Sequence, residues 1–230
     1  MLKAQRLRFR YRVTEAGCSF SQRELIASWE KAISDAGLCL AYSEGKRKTA
    51  QISMAAPLPQ GVTSDGELVE VYLSERVEPA DALRAVASRF PPGVEPLAVE
   101  EIGVQAPSVQ SQLRWAVFEV EVAGCGEGEV RDAVDQLLAA DVLPAEYRRE
   151  TRVRQYDLRP LVLELAVKGT REGRVVLSMR LRAEPEMTGR ADQVITALGL
   201  PETTRIHRVE LHTDDVQAAV VAFRRSGGEE

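Results

Sequence analysis

Residues 4–14 read Ala-Gln-Arg-Leu-Arg-Phe-Arg-Tyr-Arg-Val-Thr, and this stretch decides how the fold begins. Apolar residues alternate strictly with four arginines, which are Arg6, Arg8, Arg10 and Arg12. A period of two over this length predicts a β-strand with one buried face. A helix is expected next, because Ser21 and Glu24 have the spacing of a capping box and apolar residues continue at helical spacing towards Gly37.

Along the rest of the chain, the periodicity of apolar residues and the positions of turn residues predict two similar halves. In the first half, strands are expected at 38–43, 51–56, 68–73 and 95–104, with a second helix at 79–89. In the second half, strands are expected at 113–122, 148–167, 174–182 and 204–212, with helices at 127–139, 191–198 and 216–223. The order strand, helix, strand, strand, helix, strand predicts an α+β fold of two tandem ferredoxin-like sandwiches, each an antiparallel sheet with helices on one face.

The expected domains are residues 1–106 and 107–230, joined at Pro107-Ser108. The first half carries an inserted basic turn, Lys46-Arg47-Lys48, and a proline-rich segment that starts at Pro57. The 230 residues are 44% apolar, which is enough for a core, and the net charge of −5 excludes a globally basic nucleic-acid binder. The sequence shows neither a membrane span nor a signal peptide, so we expect a cytoplasmic protein without membrane contact.

Cysteine and histidine spacing predicts no metal site. Cys18, Cys39 and Cys125 lie far apart, and His207 and His212 fall on opposite faces of a strand because their separation is odd. Neither of the common phosphate-binding glycine motifs occurs, so no cofactor is expected.

Several short motifs carry a resemblance to a known family. They are Leu40-Ala41-Tyr42-Ser43-x-Gly45, Ile52-Ser53, Pro57-Leu58-Pro59-x-Gly61-Val62-x-Ser64, Asp157-Leu158-Arg159-Pro160 and Arg205-Ile206-His207-Arg208. Over residues 3–212 the chain resembles the bacterial radical SAM-linked protein family, a domain of unknown function, which implies a radical SAM enzyme as partner. The chain has no C-x-x-x-C-x-x-C motif to hold the cluster of such an enzyme. It also replaces the family's asparagine-, proline- and histidine-rich stretch with residues 46–51, so the resemblance transfers no active-site residue.

The arginines of residues 4–14 are the first candidate site. On one strand face, Arg6, Arg8, Arg10 and Arg12 lie about 6.6 Å apart, which roughly matches successive phosphates of an extended RNA strand. The alternative is that glutamates of a neighbouring strand pair with them, either Glu67 and Glu70 or Glu119 and Glu121.

A second basic cluster comprises Arg148, Arg149, Arg152, Arg154 and Arg159, with Arg180 and Arg182 on a neighbouring strand. Together with Lys46, Arg47 and Lys48 it predicts a basic track along a cleft between the two halves. The acidic total and the few aromatic residues available for base stacking, Tyr42, Tyr147 and Tyr156, argue against RNA binding.

Three further residues are candidates for direct contact or chemistry. Tyr42 and Ser43, next to Gly45, have the composition of a phosphate-contacting turn, or of an ordinary strand end. His207 is a general acid–base only if a partner and a nucleophile lie within about 3 Å, and it is otherwise structural.

These observations favour an RNA-binding or substrate-presenting accessory module, without catalytic activity, that acts with a radical SAM enzyme on tRNA or ribosomal RNA. No DNA partner is expected. A second hypothesis is a protein-interaction module that binds an acidic partner surface. A third is a metal-independent RNA-processing or RNA-modifying enzyme with His207 or Tyr42 as the catalytic residue.

Overall fold

The computed structural model describes residues 3–46, 48–149, 152–200 and 204–214. The first half contains β1 (Gln5–Val13), α1 (Gln22–Asp35), β2 (Ile52–Met54), β3 (Thr63–Leu73), α2 (Pro79–Ala87) and β4 (Val94–Ile102). The second half begins with α3 (Val109–Gln112), β5 (Leu113–Val122), α4 (Glu127–Ala139), β6 (Pro144–Arg149) and β7 (Arg152–Asp157). After a 3-10 turn at Arg159–Leu161 it continues with β8 (Val162–Arg171), β9 (Arg174–Glu184), β10 (Met187–Thr188), α5 (Ala191–Ala197) and β11 (Thr204–Thr213).

The first strand and helix follow the sequence pattern. In β1 the apolar side chains of Leu7, Phe9 and Tyr11 are buried. The rings of Phe9 and Tyr11 pack against Trp29 of α1, with centroid distances of 5.1 and 5.4 Å. Ser21 caps α1, and the predicted capping box with Glu24 is present. Alternation and capping are local signals, which is why the sequence predicts both elements correctly.

The strands confirm the α+β class but form a single large sheet. Among the described residues, nine strands pair in the order β10-β9-β5-β11-β3-β1-β4, with β2 on β3 and β8 on β9. Two separate ferredoxin-like sheets are not observed, because β11 pairs antiparallel with β5 and also parallel with β3. An edge strand with unpaired backbone groups gains hydrogen bonds by joining a second edge, so β11 merges the two halves.

The core consists of two hydrophobic clusters. One cluster lies around β1, α1 and α2, and the other lies around β5, β9, α4 and α5. Ile206 of β11 packs against both clusters. The strand that joins the sheets therefore also joins the cores. Among the described helices, none is long and apolar enough to cross a membrane.

The region predicted as one strand at 148–167 is instead a separate hairpin, β6–β7, followed by β8. Asp157 ends the hairpin, because its carboxylate accepts hydrogen bonds from the backbone N–H groups of Leu143 and Arg159. Pro160 follows and has no N–H group for a sheet. The predicted strand at 38–43 is reduced to single bridges at Leu40 and Tyr42, and the predicted helix at 216–223 lies outside the described residues.

Candidate functional site

The arginine stripe of β1 is not an exposed row of cations. Arg6 and Arg8 are 0% and 7% exposed, so the expectation of an open basic face is wrong for both. Their guanidinium groups bind opposite oxygens of Glu70 on β3, with N–O distances of 2.5 Å for Arg6 and 2.9 Å for Arg8. The alternative interpretation, pairing with a glutamate of the neighbouring strand, is therefore confirmed for Glu70.

The segment between the two halves covers these arginines. Arg6 donates to the carbonyl oxygens of Ala106 and Pro107 at 2.6 and 2.8 Å, and Arg8 donates to the Gln112 side chain at 2.8 Å. The N–H of Val109 donates to Glu70. The stripe thus anchors the connection between β4 and β5 instead of facing a ligand.

The outer end of the stripe is more accessible. Arg12 pairs with Asp65 at 2.7 Å and lies 3.7 Å from Glu95. Arg10 is exposed, and no carboxylate in the described ranges lies within salt-bridge distance of it. One unpaired guanidinium is too little to follow an RNA backbone.

The predicted basic track is only partly visible. Lys46 and Lys48 are exposed, whereas Arg47 and the side chains of Arg152 and Arg154 lie outside the described part of the structure. Arg159 is half-buried and donates to the carbonyl oxygens of Val162 and Leu138, both at 3.2 Å. Arg159 therefore supports the chain locally.

Tyr42 and Ser43 stand beside a small turn. Ser43 Oγ accepts a hydrogen bond from the N–H of Thr49 at 3.0 Å, which closes the basic loop, and Tyr42 packs against the first core. These contacts favour the interpretation of Tyr42 and Ser43 as an ordinary strand end over a phosphate-contacting turn.

His207 lies between two groups of β3. Its Nδ1 is 2.8 Å from Thr63 Oγ1, and its Nε2 is 3.2 Å from Asp65 Oδ2. The partner and the hydroxyl that an acid–base role requires are thus within reach. Because both ring nitrogens are engaged, the ring has no nitrogen left for an external substrate, and its contacts fasten β11 to β3.

A cavity of about 820 Å³ lies between the two halves. It is on the face of β11 that carries Ile206 and Arg208, opposite to the face that carries His207. Four segments and Phe118 of β5 line it, and the segments are Pro57–Val62, Tyr156–Leu161, Pro185–Asp192, and Ile206 with Arg208. Three of these segments contain motifs that carry the family resemblance. The sequence does not predict that these segments lie close together, because they are up to about 150 residues apart along the chain. The pairing of β11 with β3 brings them together.

The cavity walls are mainly apolar. They include Val62, Phe118, Leu161 and Ile206, with the ring of Tyr156 beside them. Burial raises the pKa of the Tyr156 hydroxyl, and Asp192 also raises it, whereas Arg190 opposes this shift. A neutral tyrosine among apolar side chains suits a flat, uncharged ligand group.

Two ion pairs supply the polar part of the cavity. Arg208 is 4% exposed and binds Glu67 through Nε at 2.7 Å and Nη2 at 2.5 Å, and it also donates to the carbonyl oxygen of Pro57 at 3.1 Å. At the rim, Arg190 binds Asp192 in a two-pronged pair, with distances of 3.0 and 2.8 Å. Each of these cations is matched by an anion, and Asp157 and Glu186 also line the cavity, so its lining carries more carboxylates than cations.

Sequence patterns did not point to the rim residues Arg190 and Asp192 or to the wall residue Gln60. Arg190-x-Asp192 directly after Gly189, at the start of a helix, is the signal that could have drawn attention to them. Within the described ranges, no group of three or more histidine, cysteine, aspartate or glutamate residues has a geometry that could hold a metal ion.

The fold and the site define an α+β protein with a mainly apolar cavity between two halves that share one sheet. The chain belongs to the family described as "Uncharacterized protein conserved in bacteria (DUF2344)", whose model matches residues 6–191. This match does not include a link to radical SAM enzymes, so that link stays a prediction. No curated protein matches the chain.

Three of the solved structures to which the chain is similar can be named. They are an H/ACA RNP bound to a substrate RNA containing 2'-deoxyuridine, a Cbf5-Nop10-Gar1 complex and the archaeal box H/ACA sRNP Nop10-Cbf5 complex. Sequence identities are 13, 13 and 12%, and TM-scores are 0.41, 0.46 and 0.41. Each match covers 90% of this chain and 49–50% of the other chain, so the chain spans about half the length of the structures it matches.

Proposed function

We propose that the protein is a non-catalytic RNA-binding module that accepts one unstacked base of an RNA strand in the cavity. The observation that carries the proposal is the position of the β6–β7 hairpin. This arginine-rich hairpin contributes Tyr156 to the cavity wall. A basic element and a mainly apolar cavity that is large enough for a nucleobase are thereby adjacent.

The register of the hairpin supports this arrangement. Tyr156 is opposite Ala145, Arg154 is opposite Tyr147, and Arg152 is opposite Arg149. Opposed and alternate positions of an antiparallel pair share one face. Positions 152 and 154 therefore share a face of β7 with Tyr156.

The charge balance of the cavity favours a base over a phosphate. Arg208 is matched by Glu67 and Arg190 by Asp192, so a phosphate entering the cavity gains no unpaired cation. Sequence-specific RNA recognition uses bases that leave the stack and lie against aromatic side chains. In the proposed complex the base enters beside Tyr156, and the phosphates stay outside near the hairpin.

The radical SAM enzyme remains the proposed protein partner, on the strength of the sequence resemblance. In that arrangement the module presents RNA while the partner supplies the chemistry. Co-purification that survives nuclease treatment tests the partner separately from the RNA.

The test is fluorescence binding of single-stranded RNA from about 50 to about 300 mM salt. We expect Tyr156→Ala to weaken binding about 5- to 140-fold, because base–aromatic stacking contributes about 1–3 kcal/mol and about 1.4 kcal/mol is tenfold. Arg152→Ala combined with Arg154→Ala should reduce the slope of log K against log salt by about 1.4, because each phosphate that an arginine neutralises on a single strand contributes about 0.7 to that slope.

The matched control replaces Arg84 and Arg131 with alanine. Both arginines are exposed on helices and pair locally, with Asp81 and Glu127. Equal effects of the hairpin and control variants would contradict the proposed interface. Folded wild-type protein that binds no RNA at low salt would overturn RNA binding and leave the protein-interaction hypothesis.

A further inference from the structure

The cavity between the two halves contains carboxylates that no cation binds. Asp157, Glu186 and Asp192 line it, and Arg190 binds Asp192 through both carboxylate oxygens. In the described part of the chain, no arginine, lysine or histidine lies within salt-bridge distance of Asp157 or Glu186. The lining therefore presents carboxylate oxygens that are available to a hydrogen-bond donor of a ligand.

Asp157 uses only one of its two oxygens. Its Oδ1 accepts hydrogen bonds from the backbone N–H groups of Leu143 and Arg159, at 2.8 and 2.9 Å. Among the described residues, none donates a hydrogen bond to Oδ2. A carboxylate has about four lone-pair sites, and the two backbone contacts occupy about half of them. These contacts hold the carboxylate in place and leave Oδ2 as an acceptor.

This free oxygen is next to the aromatic part of the wall. Asp157 follows Tyr156 directly, so their Cα atoms are about 3.8 Å apart, and both residues line the cavity. Asp157 is half-buried, whereas Glu186 is exposed in the turn before β10. A base that stacks against Tyr156 therefore has its hydrogen-bonding edge within reach of Asp157.

We infer that Asp157 selects a base with an exocyclic amino group, so that the cavity takes cytosine in preference to uracil. This inference rests on the proposed function and names the class of base that the site reads. The amino group at N4 of cytosine donates to a carboxylate oxygen. Uracil has a carbonyl oxygen at the same position, and that acceptor repels the carboxylate.

The experiment measures fluorescence binding of oligocytidylate and oligouridylate of equal length to the full chain. Both oligonucleotides present the same number of phosphates to the hairpin, so the ratio of the two affinities reports on the base. We expect oligocytidylate to bind at least about tenfold more tightly, because uracil loses a hydrogen bond to a charged group. Cytidine should likewise bind at least about tenfold more tightly than its pyrimidin-2-one analogue, which lacks only the amino group.

Asp157→Asn tests the residue itself. The amide oxygen of the new side chain still accepts from the N–H groups of Leu143 and Arg159, and its NH₂ group takes the position of Oδ2. An acceptor becomes a donor, so we expect the preference to reverse in favour of oligouridylate. Glu186→Gln is the matched control, because it removes one negative charge from the same cavity lining. It should keep the preference for oligocytidylate.

Two kinds of result separate this inference from the proposed function. Equal binding of both oligonucleotides by the wild-type protein, or an unchanged preference in folded Asp157→Asn protein, would refute selection by Asp157 while the base cavity stands. Reversal of the preference by Glu186→Gln would also refute it. If the wild-type protein binds neither oligonucleotide at low salt, the proposed function itself fails.

Discussion

Glu70 shows that one side chain can decide whether alternating arginines on a strand are open to a ligand or buried. Arginines at alternate positions predict a phosphate-binding face only if that face is open. Here one carboxylate binds both Arg6 and Arg8, and residues 103–112 cover all three groups. The strand was predictable from its period of two, but the cover was not, because it comes from a segment about 100 residues further along the chain.

At this scale we predict that Glu70→Gln lowers the free energy of unfolding by about 3–5 kcal/mol, because it leaves the buried guanidinium group of Arg6 without a counter-charge and leaves Arg8 with only Glu100, at 3.5 Å. Urea unfolding followed by circular dichroism measures the change. Glu95→Gln, which removes an exposed partner of Arg12, is the control and should cost less than about 1 kcal/mol. Equal costs for the two variants would show that Glu70 is not a buried counter-ion.

At the scale of elements, β11 decides the architecture. Its periodicity predicts a strand, yet nothing local says that it pairs with β3 as well as with β5. Arg208 secures this junction through Glu67 of β3 and also donates hydrogen bonds to the carbonyl oxygens of Ala56 and of Pro57, which lines the cavity. The Arg208–Glu67 pair therefore stabilises both the junction of β11 with β3 and the cavity wall at Pro57.

We predict strong coupling between Arg208 and Glu67. Arg208→Met and Glu67→Leu should each cost about 3–5 kcal/mol of stability, and the double variant should cost less than the sum by at least about 1 kcal/mol, because each single change leaves a buried charge unpaired. The exposed Arg84–Asp81 pair provides a control cycle, with a coupling below about 0.5 kcal/mol. Additive costs at Arg208 and Glu67 would rule out the buried pair.

At the scale of the whole molecule, a shared sheet predicts cooperative unfolding of both halves. Trp29 lies in the first core and Trp115 lies on β5 in the second half, so each half has its own fluorescent reporter. In Trp29→Phe and in Trp115→Phe, the remaining fluorescence signal and the circular dichroism signal should follow one urea transition. Separate transitions within either variant would indicate two independent domains.

The site is less predictable from the sequence than the fold, because the residues that form the site lie far apart along the chain. Helices α1 and α4 depend on neighbouring residues, and their patterns predict them closely. The cavity depends on contacts between Pro57–Val62, Tyr156–Leu161 and Pro185–Asp192, which no local pattern relates. The sequence marked two of these segments by their resemblance motifs, but it contained no signal that they meet.

The position of β11 has a consequence for how the chain is made. Among the described strands it is the last in chain order, yet it occupies the middle of the sheet. While the ribosome is still synthesising residues 204–213, β5 presents an open edge and β3 presents one at Thr63 and Ser64, next to the part that β2 already pairs with. Such edges readily pair with other chains. The nascent protein must therefore keep the open edges of β3 and β5 away from other chains until β11 is synthesised and pairs with both strands.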